Sequence, residues 1–181
     1  MISFINNFNL IIFLVFIVFY AYQFFYVVVG LFHKQKEYTA KKEHKYAVVI
    51  SARNESSVIG ELVRSIKRQK YPQELLDVIV IADNCTDNTA EVSRQAGAIV
   101  VERENKELIG KGYALDFLFK KLMNEQPDNG YEGFFVFDAD NLLEENYVAE
   151  MNKIFDQGYR VVTSYRNSKN YDTNWITAGY S

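Results

Sequence analysis

Between Leu10 and Phe32 the chain is almost unbroken aliphatic and aromatic, with Gln23 the one strongly polar interruption. About 20 apolar residues in a helix span the hydrocarbon core of a bilayer, so this stretch predicts one transmembrane helix. Beyond Lys45 the pattern changes to short apolar runs separated by polar turns. Tyr46–Ile50, Val78–Ala82, Ala98–Val101, Phe134–Phe137 and Arg160–Thr163 predict five strands. Helical spacing falls between them. Val58, Leu62 and Ile66 recur every four residues behind a Ser56 or Ser57 cap. A shorter helix is predicted over Thr89–Gln95, broken by Gly97. Leu115, Leu118, Phe119 and Leu122 share a face behind Gly110-Lys111-Gly112, and Tyr147, Val148, Met151, Ile154 and Phe155 follow on a last helix. Alternating strands and helices predict an α/β fold, a mostly parallel sheet with helices on both faces. The strands read as continuous apolar runs, as expected where both faces are covered.

Charge refines the first segment. No Asp, Glu, Lys or Arg occurs from Met1 to Phe32, and Lys34, Lys36, Lys41, Lys42 and Lys45 follow at once. A cleaved signal peptide wants a basic start and a small-residue cleavage site, and neither is present. The lysines instead predict a single-pass anchor with the rest of the chain on the cytoplasmic side, and they suit anionic headgroups of the lipid bilayer. Three segments result: an anchor over 1–33, a basic juxtamembrane linker over 34–45 and a globular domain over 46–181. The formal net charge of −3 and the lack of a basic stripe exclude a nucleic-acid binder. Cys85 is the only cysteine, so no disulfide forms within the chain. It reads as a small turn residue. His33 and His44 fall beside the anchor and in the linker, with no visible catalytic partner.

In parallel sheets ligands bind beyond the carboxyl ends of the strands, and the polar residues gather there. Arg53, Asn54 and Glu55 follow strand one, Asp83 strand two, and Asp138 and Asp140 strand four. Residues two apart point the same way while the chain stays extended, so Asp138 and Asp140 can face one divalent cation carrying a diphosphate. Asp83 can accept from a base N–H of uracil or guanine, while Thr86, Asp87 or Asn88 caps the following helix and Asp87 reads as the structural acid. Arg53 is suited to phosphates and Glu55 to a ribose hydroxyl. Gly110-Lys111-Gly112 is neither a Walker A loop nor a dinucleotide fingerprint; from the residues alone it is a helix-opening turn with a lysine able to reach an anion. Tyr165, Arg166, Asn167, Tyr171 and Trp175 form a polar-aromatic cluster that suits either a sugar pocket or loop packing.

Four stretches in order resemble the family 2 glycosyltransferases, which include cellulose, chitin and hyaluronan synthases and membrane N-acetylglucosaminyltransferases. They are Val48 through Glu55, Ile79 through Thr89, Gly110 through Leu115, and Phe137-Asp138-Ala139-Asp140. The resemblance covers roughly Tyr46 to Ser181. It implies an A-type, Rossmann-like glycosyltransferase fold and transfer with inversion from a nucleoside diphosphate sugar, a UDP-sugar by preference, to a glycan acceptor. It implies that Asp83 binds the base, Asp138 contacts nucleotide or sugar, Asp140 binds Mg²⁺ or Mn²⁺, and Lys111 joins the donor site. The family's general base belongs to a later acidic motif, and nothing after Asp140 matches it. The expectation is therefore a fold incomplete at the C-terminus, with the base beyond Ser181. The rival expectations are an inactive nucleotide-binding module and a nucleotidyltransferase, whose Gly-rich basic loop Ser51-Ala52-Arg53-Asn54 does not supply.

Overall fold

The computed structural model describes residues 2–32, 36–125 and 128–166. They divide into two compact units, with the break between Glu37 and Tyr38. The first is helix α1, Ile2–Phe32, whose 31 residues reach about 45 Å at 1.5 Å per residue. Its Ser3–Phe32 stretch is long and apolar enough to cross a membrane, and none of it is buried against protein. A helix apolar on every side has no face to present to water.

The second unit is built on four strands: β1 (Tyr46–Ala52), β2 (Leu76–Asp83), β3 (Ile99–Arg103) and β4 (Gly133–Asp138). All pair in parallel, in the order β3-β2-β1-β4. The helices are α2 (Ile59–Lys67), α3 (Thr89–Gln95), α4 (Lys111–Glu125) and α5 (Tyr147–Phe155). Alternation along β1 sorts the core into two layers. Tyr46, Val48, Ile50 and Ala52 join Val78 and Val80 under Ile59, Leu62, Val63 and Ile66 of α2 and Val148 of α5. Ala47, Val49, Ile79 and Ile81 face Ala114, Leu118 and Leu122 of α4. Each fully buried Val, Leu or Ile contributes roughly 1.5–3 kcal/mol, so these layers dominate the unit's stability.

Helices lie on both faces, as the sequence predicts, with three local corrections. Helix α2 starts at Ile59 after Val58, and neither Ser56 nor Ser57 caps it. The Glu55 carbonyl takes the N–H groups of Val58 and Ile59 instead, at 3.1 and 3.0 Å. The expected fifth strand, Arg160–Thr163, has no ladder; a strand is stable only when paired, and Val161 is 91% exposed. Arg160 and Val162 instead line a hollow of about 320 Å³ against Gly133, Phe135, Met151 and Phe155. Strand β4 ends at Asp138, and the Asn141 N–H returns to the Asp138 carbonyl at 3.2 Å, so Ala139-Asp140 turns rather than staying extended.

The expected linker is partly docked. The backbone N–H of Lys41 donates to Asp156, and Lys42 pairs with Glu132, both at 2.7 Å. His44 bridges Glu132 and Asp156 through its two ring nitrogens, each at 2.9 Å. Below it, Asn152 Oδ1 accepts from the Tyr46 hydroxyl at 2.8 Å, and the Tyr71 hydroxyl, 3.1 Å from the same oxygen, donates to the His44 carbonyl at 2.7 Å. Burial pushes both phenols up, that of Tyr71 to about 12. Gly133 is required here: a Cβ would stand 2.9 Å from the Tyr46 ring.

Candidate functional site

The site lies at the carboxyl ends of β1, β2 and β4. Register aligns Ser51 with Asp138 and Ala52 with Ala82, so Asp83 and Asp138 stand on either side of β1. Two strand spacings separate them by about 10 Å.

The loops after β1 and β2 interlock. Asn54 and Asn84 both take left-handed backbone conformations, with φ of 56° and 53°, which asparagine tolerates better than most residues. Asn54 Oδ1 accepts from the Thr86 N–H at 2.7 Å. Asp87 accepts from the Thr89 N–H and hydroxyl and from the Ser56 N–H, at 3.0, 2.5 and 3.2 Å. Those bonds, the Thr89 hydroxyl first, draw its carboxyl down to about 2. Asp87 is thus the structural acid of this loop. Cys85 is a turn residue whose thiol meets the Ala52 carbonyl at 3.5 Å.

Asp83 is 3% exposed and Arg103, facing it across β2 and β3, is 7% exposed. They form a buried ion pair at 2.5 Å, and Asn84 Nδ2 reaches the same carboxylate at 3.1 Å. Sequence reasoning missed Arg103 because it ended strand three at Val101. The available signal was a basic residue two positions further along the strand, where parallel pairing brings it level with Asp83.

The second corner is Lys111 and Asp138. They form an ion pair, and Arg166 stands 3.9 Å from the other oxygen of Asp138. The Lys111 ammonium beside Asp138, aided by Arg166, holds its carboxyl below the usual range. Both partners are about half exposed, so the pair is open to incoming charge. A hollow of about 400 Å³ at the start of α4 is lined by Ile109, Gly110, Gly112, Tyr113 and Asp116. Asp140 is exposed beyond the turn, as are Arg53 and Asn54 beyond β1; Glu55 is half-buried. Of the terminal cluster, Tyr165 and Arg166 are exposed, while Asn167, Tyr171 and Trp175 lie outside the described residues.

Asp138 and Asp140 offer hard oxygen donors of the kind Mg²⁺ and Mn²⁺ take. Among the described residues no third His, Cys, Asp or Glu gathers with them. A small divalent ion held by one or two carboxylates completes its shell with phosphate oxygens and water, so this donor set fits an ion that arrives with a phosphorylated ligand. Beside it, Asn141 Nδ2 is buried without a hydrogen-bond partner among the described residues.

Residues 44–181 match the family described as glycosyltransferase like family 2, and the chain belongs to that family of transferases. A 71-residue stretch is 45% identical to the 4,4'-diaponeurosporenoate glycosyltransferase of Staphylococcus aureus; it covers 39% of this chain and 18% of that protein. The fold is similar to the mannosyltransferase PcManGT from Pyrobaculum calidifontis, solved with GDP-Man and Mn²⁺, at TM-score 0.53 and 24% identity over 66% of this chain and 35% of that one. It is also similar to S. aureus TarS 1-349 solved with UDP-GlcNAc, at TM-score 0.51 and 19% identity over 62% of this chain and 31% of that one. The parallel sheet and its helices are therefore those of the A-type glycosyltransferases. The matched parts span about a fifth to a third of those relatives' lengths.

Proposed function

We propose that this chain is the donor-binding part of a membrane-anchored, inverting glycosyltransferase that takes a nucleoside diphosphate sugar, by preference a UDP-sugar, for transfer to a glycan of the cell envelope. The observation that carries the reading is the meeting of Lys111 and Asp138 from distant segments, across β1 from the buried carboxylate of Asp83. Asp83 accepts the N–H of the base. Lys111 starts a helix, where an ammonium and unpaired backbone N–H groups both favour phosphate. It turns from Asp138 to the diphosphate when the donor binds. Arg53 assists at the phosphates, Asn54 shapes the loop and Glu55 serves the ribose.

Asp138 and Asp140 would hold Mg²⁺ or Mn²⁺, which neutralises the departing diphosphate when bound. The Mn²⁺ of the Pyrobaculum mannosyltransferase supports that choice, and its GDP-Man and the UDP-GlcNAc of TarS support the donor class. Among the described residues we assign no general base for the acceptor hydroxyl. Helix α1 is the anchor, and the lysines after it set the remainder on the cytoplasmic side.

The test is calorimetric titration of the full chain, in detergent, with UDP- and GDP-sugars and Mn²⁺. Saturable binding that weakens at least about tenfold in Lys111→Ala and in Asp140→Asn is expected. A folded chain that binds neither donor removes the reading.

A further inference from the structure

Arg103 closes β3, and its guanidinium points two ways at once. Nη1 donates to Asp83 Oδ1, and Nη2 donates to the Leu108 carbonyl at 2.7 Å. The Phe117 ring centre lies 5.8 Å from the same group. The loop between β3 and α4 is held a second time by Asn84. Its Oδ1 accepts the Asn105 N–H at 2.9 Å while its Nδ2 donates to Asp83 Oδ1. Asn105 in turn accepts from the N–H groups of Glu107 and Leu108, at 3.0 and 2.8 Å. Asp83, Arg103, Leu108, Asn105 and Asn84 therefore form a closed ring of contacts. Residues 104–109 complete it and lead directly into Gly110 and Lys111.

Two features of the ring bear on recognition. Both side-chain donors on Asp83 converge on Oδ1, and no donor among the described residues engages Oδ2. An ion pair this deeply buried gains little stability over an apolar pair, so what it supplies is geometry. Only a planar fork makes both bonds together; a lysine ammonium is a point donor.

We propose that Arg103 is a positioning residue for donor choice: it turns Asp83 so that Oδ2 alone meets a base N–H. Through Leu108 it fixes the same loop that delivers Lys111 to the diphosphate. Recognition of the base and placement of Lys111 are thereby coupled. The proposal rests on Asp83 being the base-binding residue. A carboxylate held as a pure acceptor selects uracil or guanine, which carry a ring N–H, against adenine, which does not.

The experiment measures dissociation constants of UDP, GDP, ADP and uridine for the full chain in detergent with Mn²⁺, with near-ultraviolet circular dichroism as the check on folding. In Arg103→Met, the preference for the favoured of UDP and GDP over ADP falls by about tenfold or more, the loss of one charged hydrogen bond. Arg103→Lys keeps part of that preference, yet lowers the ratio of UDP to uridine affinity because Leu108 is released. Asn105→Ala leaves the base preference alone and lowers the UDP to uridine ratio. A merely structural arginine would shift stability and leave both ratios in place. A folded Arg103→Met chain with the parent's base preference overturns the proposal. Should that variant not fold, Arg103→Lys decides, and both ratios unchanged in it are equally fatal. A parent that binds no nucleotide, or binds without base preference, removes the donor-site reading itself and the proposal with it.

Discussion

The two ends of the parallel sheet use the same residue types to opposite ends. At the amino end, His44, Glu132, Asp156, Tyr46, Tyr71 and Asn152 bond to one another, and both ring nitrogens of His44 meet carboxylates. At the carboxyl end, Lys111 and Asp138 form a pair that stays about half exposed, and one oxygen of Asp83 is without a donor among the described residues. The first arrangement consumes its hydrogen-bonding capacity in holding the chain onto the domain. The second keeps capacity in reserve. The difference teaches that charge and burial alone do not mark a binding site; unspent capacity does.

Asp83 tests this division hardest, because it belongs to the binding end yet is buried against Arg103. Asp83→Ala leaves a guanidinium buried without its partner, and we expect a loss of roughly 3–5 kcal/mol in urea unfolding along with loss of nucleotide binding. Asn152→Ala should come next, at roughly 2–4 kcal/mol, since the buried Tyr46 hydroxyl loses its acceptor and the His44 N–H and Lys42 carbonyl lose their partner. Its nucleotide dissociation constant should equal the parent's. A large change in binding with Asn152→Ala would break the separation of the two ends. Gly133→Ala should lose about 1–3 kcal/mol, because the added Cβ meets a Tyr46 ring pinned by Asn152.

The sheet was legible because its central strands are apolar on both faces. Val48 to Ile50 and Val78 to Ile81 are all nearly or fully buried, so each run shows uninterrupted in the sequence. Strand β4 was legible too, although Phe134 and Val136 are 44% and 39% exposed. Arg160–Thr163 misled because β-branched residues report a preference and not a partner. The α2 cap misled because the Glu55 carbonyl and Asp87 took the roles that Ser56 or Ser57 was expected to fill. At the site, Asp83, Lys111 and Asp138 were readable from their place after strands or at a helix start. Arg103 and the His44 cluster were not, since each depends on contacts across many residues of chain: 20 from Asp83 to Arg103 and 88 from His44 to Glu132.

Acid sharpens the comparison with a smaller effect. Hydrogen bonds from Lys42 and then His44 bring the Glu132 carboxyl from 4.5 down to about 2. A depressed folded value means that the stabilisation is present above pH 4.5 and disappears as pH falls toward 2. The urea midpoint of the parent should therefore fall across that window, and Glu132→Gln should flatten part of the slope. Asp87, drawn down to about 2 by Thr89 and Ser56, adds a contribution from the other end, so Asp87→Asn should flatten another part. Both groups are exposed enough for the change to be modest.

The smallest effect on stability belongs to Lys111, and it separates the two ends most cleanly. Its partner Asp138 is as exposed as it is, and such pairs contribute below about 1 kcal/mol. Lys111→Ala should therefore leave the urea midpoint almost unmoved. Removing the ammonium also frees Asp138, whose carboxyl then relaxes toward its ordinary range, leaving two acids with no cation from α4 beside them. With only Arg166 left beside Asp138, a diphosphate approaching the two acids is held less well, while uridine, which carries no phosphate, is unaffected. The variant should weaken UDP by at least about tenfold and leave uridine unchanged. Equal losses for the two ligands would mean that Lys111 supports the base corner instead, and a fall in stability to match Asn152→Ala would mean that the carboxyl end is held together in the same way as the amino end.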